Sequence, residues 1–367
     1  MRVHIVDPSA YTPPYDDALC RSLAAAGADV ELYSSHFAHG KLAPPDGYAR
    51  HESFYSGARL SSNPRAQRVL KLAEHVPDML RYRRAAAAAD VVHFQWLPVQ
   101  PLDVHLLPGG RPLVLTAHDV LPREPRPGQL TAQRRAYERV DGVVVHSEHG
   151  RRRLTDELGL DPARVHLIRH GVLRPWEGRA EQPLPSELAG DREVPVVLFF
   201  GLLRPYKGLD VLLEAWREVS GAELWIVGKP RMSLARLRVS EPPDVRWLTR
   251  FVSDGEMLAL MRRASLAVLP YREIDQSGVA FTALGAGLPL LLSDVGGFPE
   301  LVATGAARTF RSGDATALAE QLQSLLDDPT ALQSMAAAAA RADGGELSWT
   351  DIAARTLALY EQLLAAS

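Results

Sequence analysis

Short runs of β-branched and aliphatic residues alternate with amphipathic helical stretches along the whole chain. In the first half the runs are Val3–Asp7, Val30–Ser34, Val91–Trp96, Leu113–His118, Val143–Ser147 and Val165–Arg169. Several are apolar at every position rather than at every second one, the pattern of parallel strands covered on both faces. Helical spacing marks 15–27, 65–88, 128–140 and a segment beginning near His149. The second half restarts the rhythm with Val196–Phe200, Leu224–Val227, Leu266–Pro270 and Leu290–Ser293. This alternation predicts an α/β fold of doubly wound parallel sheets.

Between Arg174 and Pro195 the periodicity stops, interrupted by Pro175, Gly178, Pro183, Pro185 and Gly190. A Pro/Gly stretch between two α/β patterns reads as a linker. The expected organisation is a Rossmann-like domain over 1–175, a linker over 176–194, a second Rossmann-like domain over 195–348 and a terminal helix within 349–367. The length of 367 residues agrees, since domains hold roughly 100–200 residues each.

Composition removes several classes. The chain is 46% hydrophobic and 23% charged, globular averages that exclude a disordered or fibrous protein. Cys20 is the single cysteine, so no disulfide framework or Cys-based zinc site forms, and a reducing cytoplasm is expected. No run of about 18 apolar residues is present to span a membrane. The net charge of −3 gives no support for a nucleic-acid partner, and residues 1–190 carry +2 against −5 for the remainder.

In open parallel sheets, ligands gather beyond the carboxyl ends of the strands. Those ends carry Tyr15 and Asp16, His118, Gly201 through Gly208, Gly228, and the run Asp275-Gln276-Ser277-Gly278-Val279. Arg204 and Lys207, three apart where a strand runs into a helix, form a plausible diphosphate receptor with the free amides of the helix start. A solvated surface pair is the plainer reading. Ser277 is expected to cap a helix over 280–287 whose first amides cradle phosphate oxygens, and an ordinary cap explains the same residues. No G-x-G-x-x-G, G-x-x-x-x-G-K-[ST], H-E-x-x-H or G-x-S-x-G occurs, which removes support for dinucleotide, P-loop, zincin and nucleophile-elbow chemistry. His93, His118, His146, His149 and His170 are scattered, and a structural role is the default for each.

Together, Phe200-Gly201-Leu202-Leu203-Arg204-Pro205-Tyr206-Lys207-Gly208, Ile226-Val227-Gly228, Tyr271 through Val279, Gly285-Ala286-Gly287-Leu288-Pro289 and Ser293-Asp294-Val295-Gly296-Gly297 resemble a known family. The chain is similar to retaining glycosyltransferases of the GT-B fold, close to the large family 4 group. The resemblance implies two Rossmann-like domains facing a cleft, with the terminal helix crossing back to the first. It implies a nucleotide-diphosphate-sugar donor as co-substrate without a cofactor, and a small-molecule, glycan or lipid-linked acceptor. By the same resemblance Arg204 and Lys207 hold the diphosphate, Gly201, Gly228, Gln276, Ser277, Gly278 and Val279 line the donor, and His118 lies near the transferred sugar. Tyr15 and Asp16 stand where the family often has a Gly-Gly loop touching donor and acceptor.

Three departures stand out. The family's two glutamates fall at Ile274 and Thr282, neither acidic. Thr282 offers one hydroxyl to the donor ribose, and Glu273 or Asp275 is expected to replace the first glutamate. The Gly-Gly loop is also absent. With no D-x-D at a metal position, metal-independent transfer is expected, Arg204 and Lys207 stabilising charge on the leaving diphosphate. Alternatives are a non-catalytic nucleotide-sugar or glycan-binding protein on the same fold, and a sugar-nucleotide epimerase. Finally, Arg65, Arg68, Lys71, Arg81, Arg83 and Arg84 alternate with Val69, Leu70, Leu72, Met79 and Leu80. A solvated charged helix face, interrupted at Pro77, is the favoured reading of this pattern, with weak peripheral contact of 65–84 with the inner membrane face as the alternative.

Overall fold

A computed structural model of the chain describes residues 1–38, 40, 42–122, 127–190 and 193–366. The chain divides into two compact units. The first joins Met1–Gly171 to Trp349–Ser367, and the second is Val172–Ser348. The 176–194 stretch therefore travels with the second unit, where Trp176 and Leu188 are buried.

The first unit holds a seven-stranded parallel sheet: β1 (Arg2–Asp7), β2 (Asp29–Ser35), β3 (Ala49–Phe54), β4 (Val91–Phe94), β5 (Leu113–Thr116), β6 (Gly142–Val145) and β7 (Val165–Leu167), in spatial order β3-β2-β1-β4-β5-β6-β7. Alternate residues of each inner strand feed different cores. Val3, Ile5, Val91, Val114 and Val144 pack with the helix Pro13–Ala25 and the terminal helix Trp349–Ala365. Val6, Val92, Phe94, Leu115, Val143 and Val145 pack with Met79, Tyr82 and Tyr137. Both faces are thus covered, which is why these strands lack polar alternation. The helix Pro64–Ala85 runs through Pro77 without a break, contrary to the expected interruption. Its Met79 faces the core, leaving Val69, Leu70, Leu72 and Leu80 exposed.

The second unit holds a six-stranded parallel sheet: β8 (Val196–Phe200), β9 (Glu223–Val227), β10 (Val245–Leu248), β11 (Leu266–Leu269), β12 (Leu290–Ser293) and β13 (Ala307–Phe310), in order β10-β9-β8-β11-β12-β13. In each sheet the strand order reverses beside its first strand, between β1 and β4 and between β8 and β11. Crevices for ligands open at such reversals.

Candidate functional site

In the second unit, β8 is followed directly by Gly201, whose φ of +115° suits glycine, and a Cβ there would stand 2.9 Å from Lys207 Nζ and 3.2 Å from Val279 Cγ2. Gly228, at the end of β9, has φ +151°, and a Cβ there would overlap Gly201 O at 1.7 Å. These two residues without side chains let the strand ends close on one another. Leu203 N donates to Lys229 O at 3.1 Å and Arg231 N to Leu203 O at 2.9 Å, tying the two loops together.

Lys207 is 6% exposed and ends the short turn Pro205–Lys207. Its ammonium sits 4.7 Å from the centroid of the buried Tyr271 ring. Arg204 opens that turn, and its side chain is exposed with no ion pair among the described residues. Arg272 fastens the turn: its N–H donates to Tyr206 O at 2.7 Å, and its guanidinium grips Asp210 at 2.8 and 2.6 Å. The Arg272 hydrogen bonds hold the Asp210 carboxyl below its ordinary value.

The loop from Tyr271 leads into the helix Gly278–Gly285. Ser277 stands at its N-cap, but its side chain makes no capping hydrogen bond, and the helix begins two residues before the expected start. The ladder opens with Ala280 N and Phe281 N donating to Ser277 O, so the amides of Gly278 and Val279 precede it, beside Lys207. Asp275, Ile274 and Ser277 are buried and Glu273 is exposed; Gln276 is half-buried between them. Thr282 Oγ1 donates to Gly278 O at 2.8 Å, so toward a ribose this hydroxyl has only acceptor capacity left.

In the first unit, Tyr15 and Asp16 lie on the first turn of the helix Pro13–Ala25, not in a loop, and both are buried. Asp7, the last residue of β1, accepts from Ser9 N, Tyr11 N and Thr12 N. Burial raises Asp7 above the usual carboxylate range and raises Asp16 further, because the Asp7 charge lies next to it.

His118 follows β5. Its Nε2 lies 3.0 Å from the Gln95 side-chain amide. The Tyr15 ring touches His118, His146 and His170 at centroid distances of 4.8, 5.3 and 5.0 Å. Burial keeps all three imidazoles neutral: His118 falls well below its ordinary value, His146 to about 4 and His170 to about 3. His93, between Thr116 Oγ1 and the Tyr360 hydroxyl, falls to about 3 for the same reason. Histidines scattered in sequence thus gather because each sits in or just after a strand of one sheet. Tyr11, Gln95, Trp96 and Arg272 belong to the strand-end regions but carry no motif that singles them out.

Among the described residues no three His, Cys, Asp or Glu side chains are placed to hold a metal ion. No described helix is long and apolar enough to cross a membrane.

Two family models cover most of the chain: Glycosyltransferase Family 4 over residues 17–172 and Glycosyl transferases group 1 over 194–328. The alpha-maltose-1-phosphate synthase of Mycolicibacterium smegmatis is 30% identical over 312 residues, covering 76% of this chain and 81% of its own. Among solved structures, sucrose-phosphate synthase from Thermosynechococcus elongatus matches with a TM-score of 0.75 and 21% identity over 100% of both chains. Anabaena HepE, solved in complex with UDP-glucose, matches with a TM-score of 0.69 and 19% identity over 98% of this chain and 100% of its own. These likenesses establish the GT-B fold. The chain belongs to the glycosyltransferases of family 4 and group 1 and is a glycosyltransferase enzyme.

Proposed function

We propose that this enzyme moves a sugar from a nucleotide-diphosphate donor to an acceptor hydroxyl with retention of anomeric configuration and without a metal ion. The observation that carries the reading is the placement of Lys207, its ammonium buried beside Gly201 and Val279 at the start of a helix. A cation, a helix N-terminus and the exposed Arg204 together suit a diphosphate whose negative charge grows as the sugar leaves. The UDP-glucose complex of HepE supports a donor of this class. The bond from the anomeric carbon to the leaving phosphate oxygen breaks as the bond to the acceptor oxygen forms on the same face. The acceptor proton passes to that phosphate oxygen. Arg204, Lys207 and the amides of Gly278 and Val279 take the place a metal would have on the diphosphate. The first unit, with His118 at a strand end, takes the acceptor.

The test is turnover of a nucleotide-sugar panel, with EDTA present, by the wild type and by Arg204→Ala/Lys207→Ala. A loss of about two orders of magnitude or more is expected, and near-wild-type transfer in the double variant would overturn the reading. Donor binding without turnover favours a binding protein, and donor conversion without an acceptor favours an epimerase.

Membrane contact is a second proposal, resting on the helix Pro64–Ala85. Val69, Leu72, Val76 and Leu80 follow i, i+3, i+7, i+11 spacing and form one stripe. Val69 is 68% and Leu72 57% exposed, and Arg65, Arg68, Arg83 and Arg84 flank the stripe. An apolar strip edged with cations fits an anionic lipid surface.

A further inference from the structure

In the first unit three rings from three strand ends stand together. Tyr11, in the turn after β1, is 60% exposed and meets Trp96 edge-on with centroids 5.4 Å apart. Trp96, just past β4, lies flat against His118, with centroids 5.1 Å apart and planes 16° from parallel. The indole N–H donates to Thr12 Oγ1 at 2.9 Å, and Thr12 Oγ1 donates to Asp16 Oδ1 at 3.3 Å, which fixes the indole. The turn that throws Tyr11 outward holds Ala10 at φ +48° and is braced by the three amides that Asp7 accepts. The wall stands where β1 and β4 diverge, the reversal point of the sheet.

Its chemistry narrows the occupant. A turn with successive inward amides is a ready anion nest, but here the Asp7 carboxylate already fills it. A phosphate arriving at this turn finds its amide donors already taken by the Asp7 side chain. An exposed tyrosine and a half-buried tryptophan instead offer apolar ring surface with a polar tip. An uncharged ring with an apolar C–H face and hydroxyls around its rim matches that surface. We propose that Tyr11 and Trp96 form the subsite for an uncharged sugar ring of the acceptor, and that Asp7 disfavours a phosphorylated ring in the same place. The proposal rests on the glycosyl-transfer reading above.

The experiment is saturation-transfer NMR on the full chain with methyl α-D-glucopyranoside, methyl α-D-mannopyranoside and glucose 6-phosphate as probes. Wild type, Tyr11→Ala, Tyr11→Phe and Trp96→Ala are compared, with binding of UDP-glucose and GDP-mannose measured on the same samples. At least one glycoside is expected to bind through its ring protons and to weaken about tenfold in each alanine variant. Tyr11→Phe should retain binding, and glucose 6-phosphate should bind less tightly than the glycoside. Equal glycoside affinity in wild type and Tyr11→Ala, tighter binding of the phosphate, or no glycoside binding by a protein that binds a donor each overturns the proposal. Tyr11 is solvent-exposed, so its variant decides the matter even if Trp96→Ala fails to fold. Glycoside binding lost in Tyr11→Ala by a protein that takes no donor at all leaves the subsite standing and overturns the glycosyl-transfer reading instead.

Discussion

Lys207 Nζ lies 4.7 Å above the ring of Tyr271, so the buried cation of the second unit rests on an aromatic face rather than standing alone in the crevice. Desolvating an ammonium is costly, and a ring quadrupole offsets part of that cost, by about 1–2 kcal/mol at a dry site. Tyr271→Leu is therefore expected to weaken donor binding by about fivefold to thirtyfold, with Tyr271→Phe close to wild type. Calorimetric titration with the cognate nucleotide diphosphate checks both. Equal affinity in Tyr271→Leu would show that the ring does not hold the cation.

Gly201 gives the second prediction. A Cβ at φ +115° is strained, and it would press on Lys207 Nζ and Val279 Cγ2 at once. Gly201→Ala should lower transfer about tenfold or more while the unfolding midpoint shifts by only a few degrees. Unchanged turnover in this variant would remove Gly201 from the site.

Inner strands such as β1, β4, β8 and β12 were readable from the sequence because both their faces are buried and their positions are mostly apolar, with only His4 in β1 and His93 in β4 interrupting the runs. β3, β10 and β13 were not, and each is a sheet edge. Arg50, His51 and Glu52 in β3, Arg246 in β10, and Arg308 and Thr309 in β13 break the apolar run because an edge strand is only partly covered. Arg204, Lys207 and Gly201 were legible through motif and spacing, since a strand end running into a helix constrains its own residues. The Tyr15–His118–His146–His170 cluster was not, because its members come from separate strand ends that only the parallel register aligns. The raised values of Asp7 and Asp16 are invisible in sequence for the same reason: burial, not residue type, raises them.

That cluster sets a pH dependence. Histidines held below their ordinary value of 6.5 in the fold take up protons more readily when unfolded. Their contribution is complete above pH 6.5 and is lost as pH falls toward about 4, by roughly 1 kcal/mol per pH unit for each group. Asp7 and Asp16 act with the opposite sign. Their raised values favour the folded state at low pH, and that advantage declines as pH rises past the ordinary carboxylate value. Between pH 7 and 5 a loss of stability is expected in urea titrations, smaller in His146→Leu. A slope unaltered by that substitution would show that His146 titrates normally.

Gly171 closes the first unit against Trp349, since a Cβ there would lie 2.4 Å from Trp349 Cε2. Trp349 also meets Tyr15 edge-on at 5.2 Å, so the terminal helix is seated by one indole between a glycine and the histidine cluster. Gly171→Ala is expected to destabilise by about 1–3 kcal/mol through overpacking. Trp349→Phe should recover part of that loss in the double variant, because the smaller ring vacates the contested volume. Strictly additive effects in thermal unfolding would rule out the contact as the cause.

The helix Pro64–Ala85 supplies the last prediction. Its stripe of Val69, Leu72 and Leu80, exposed, with half-buried Val76, is flanked by arginines, so binding should need both apolar insertion and lipid charge. Flotation with vesicles containing phosphatidylglycerol should carry the wild type upward, and neutral phosphatidylcholine vesicles should not. Raising salt from low to high should release the protein, since screening shortens the reach of surface charge to a few ångströms. Val69→Ser/Leu72→Ser and Arg65→Glu/Arg68→Glu should each abolish flotation while leaving donor binding intact, since these side chains are solvent-exposed and none belongs to the second unit, where Arg204 and Lys207 lie. Flotation that survives the serine pair but not the glutamate pair would reduce the contact to simple charge attraction, with the apolar stripe left out of it.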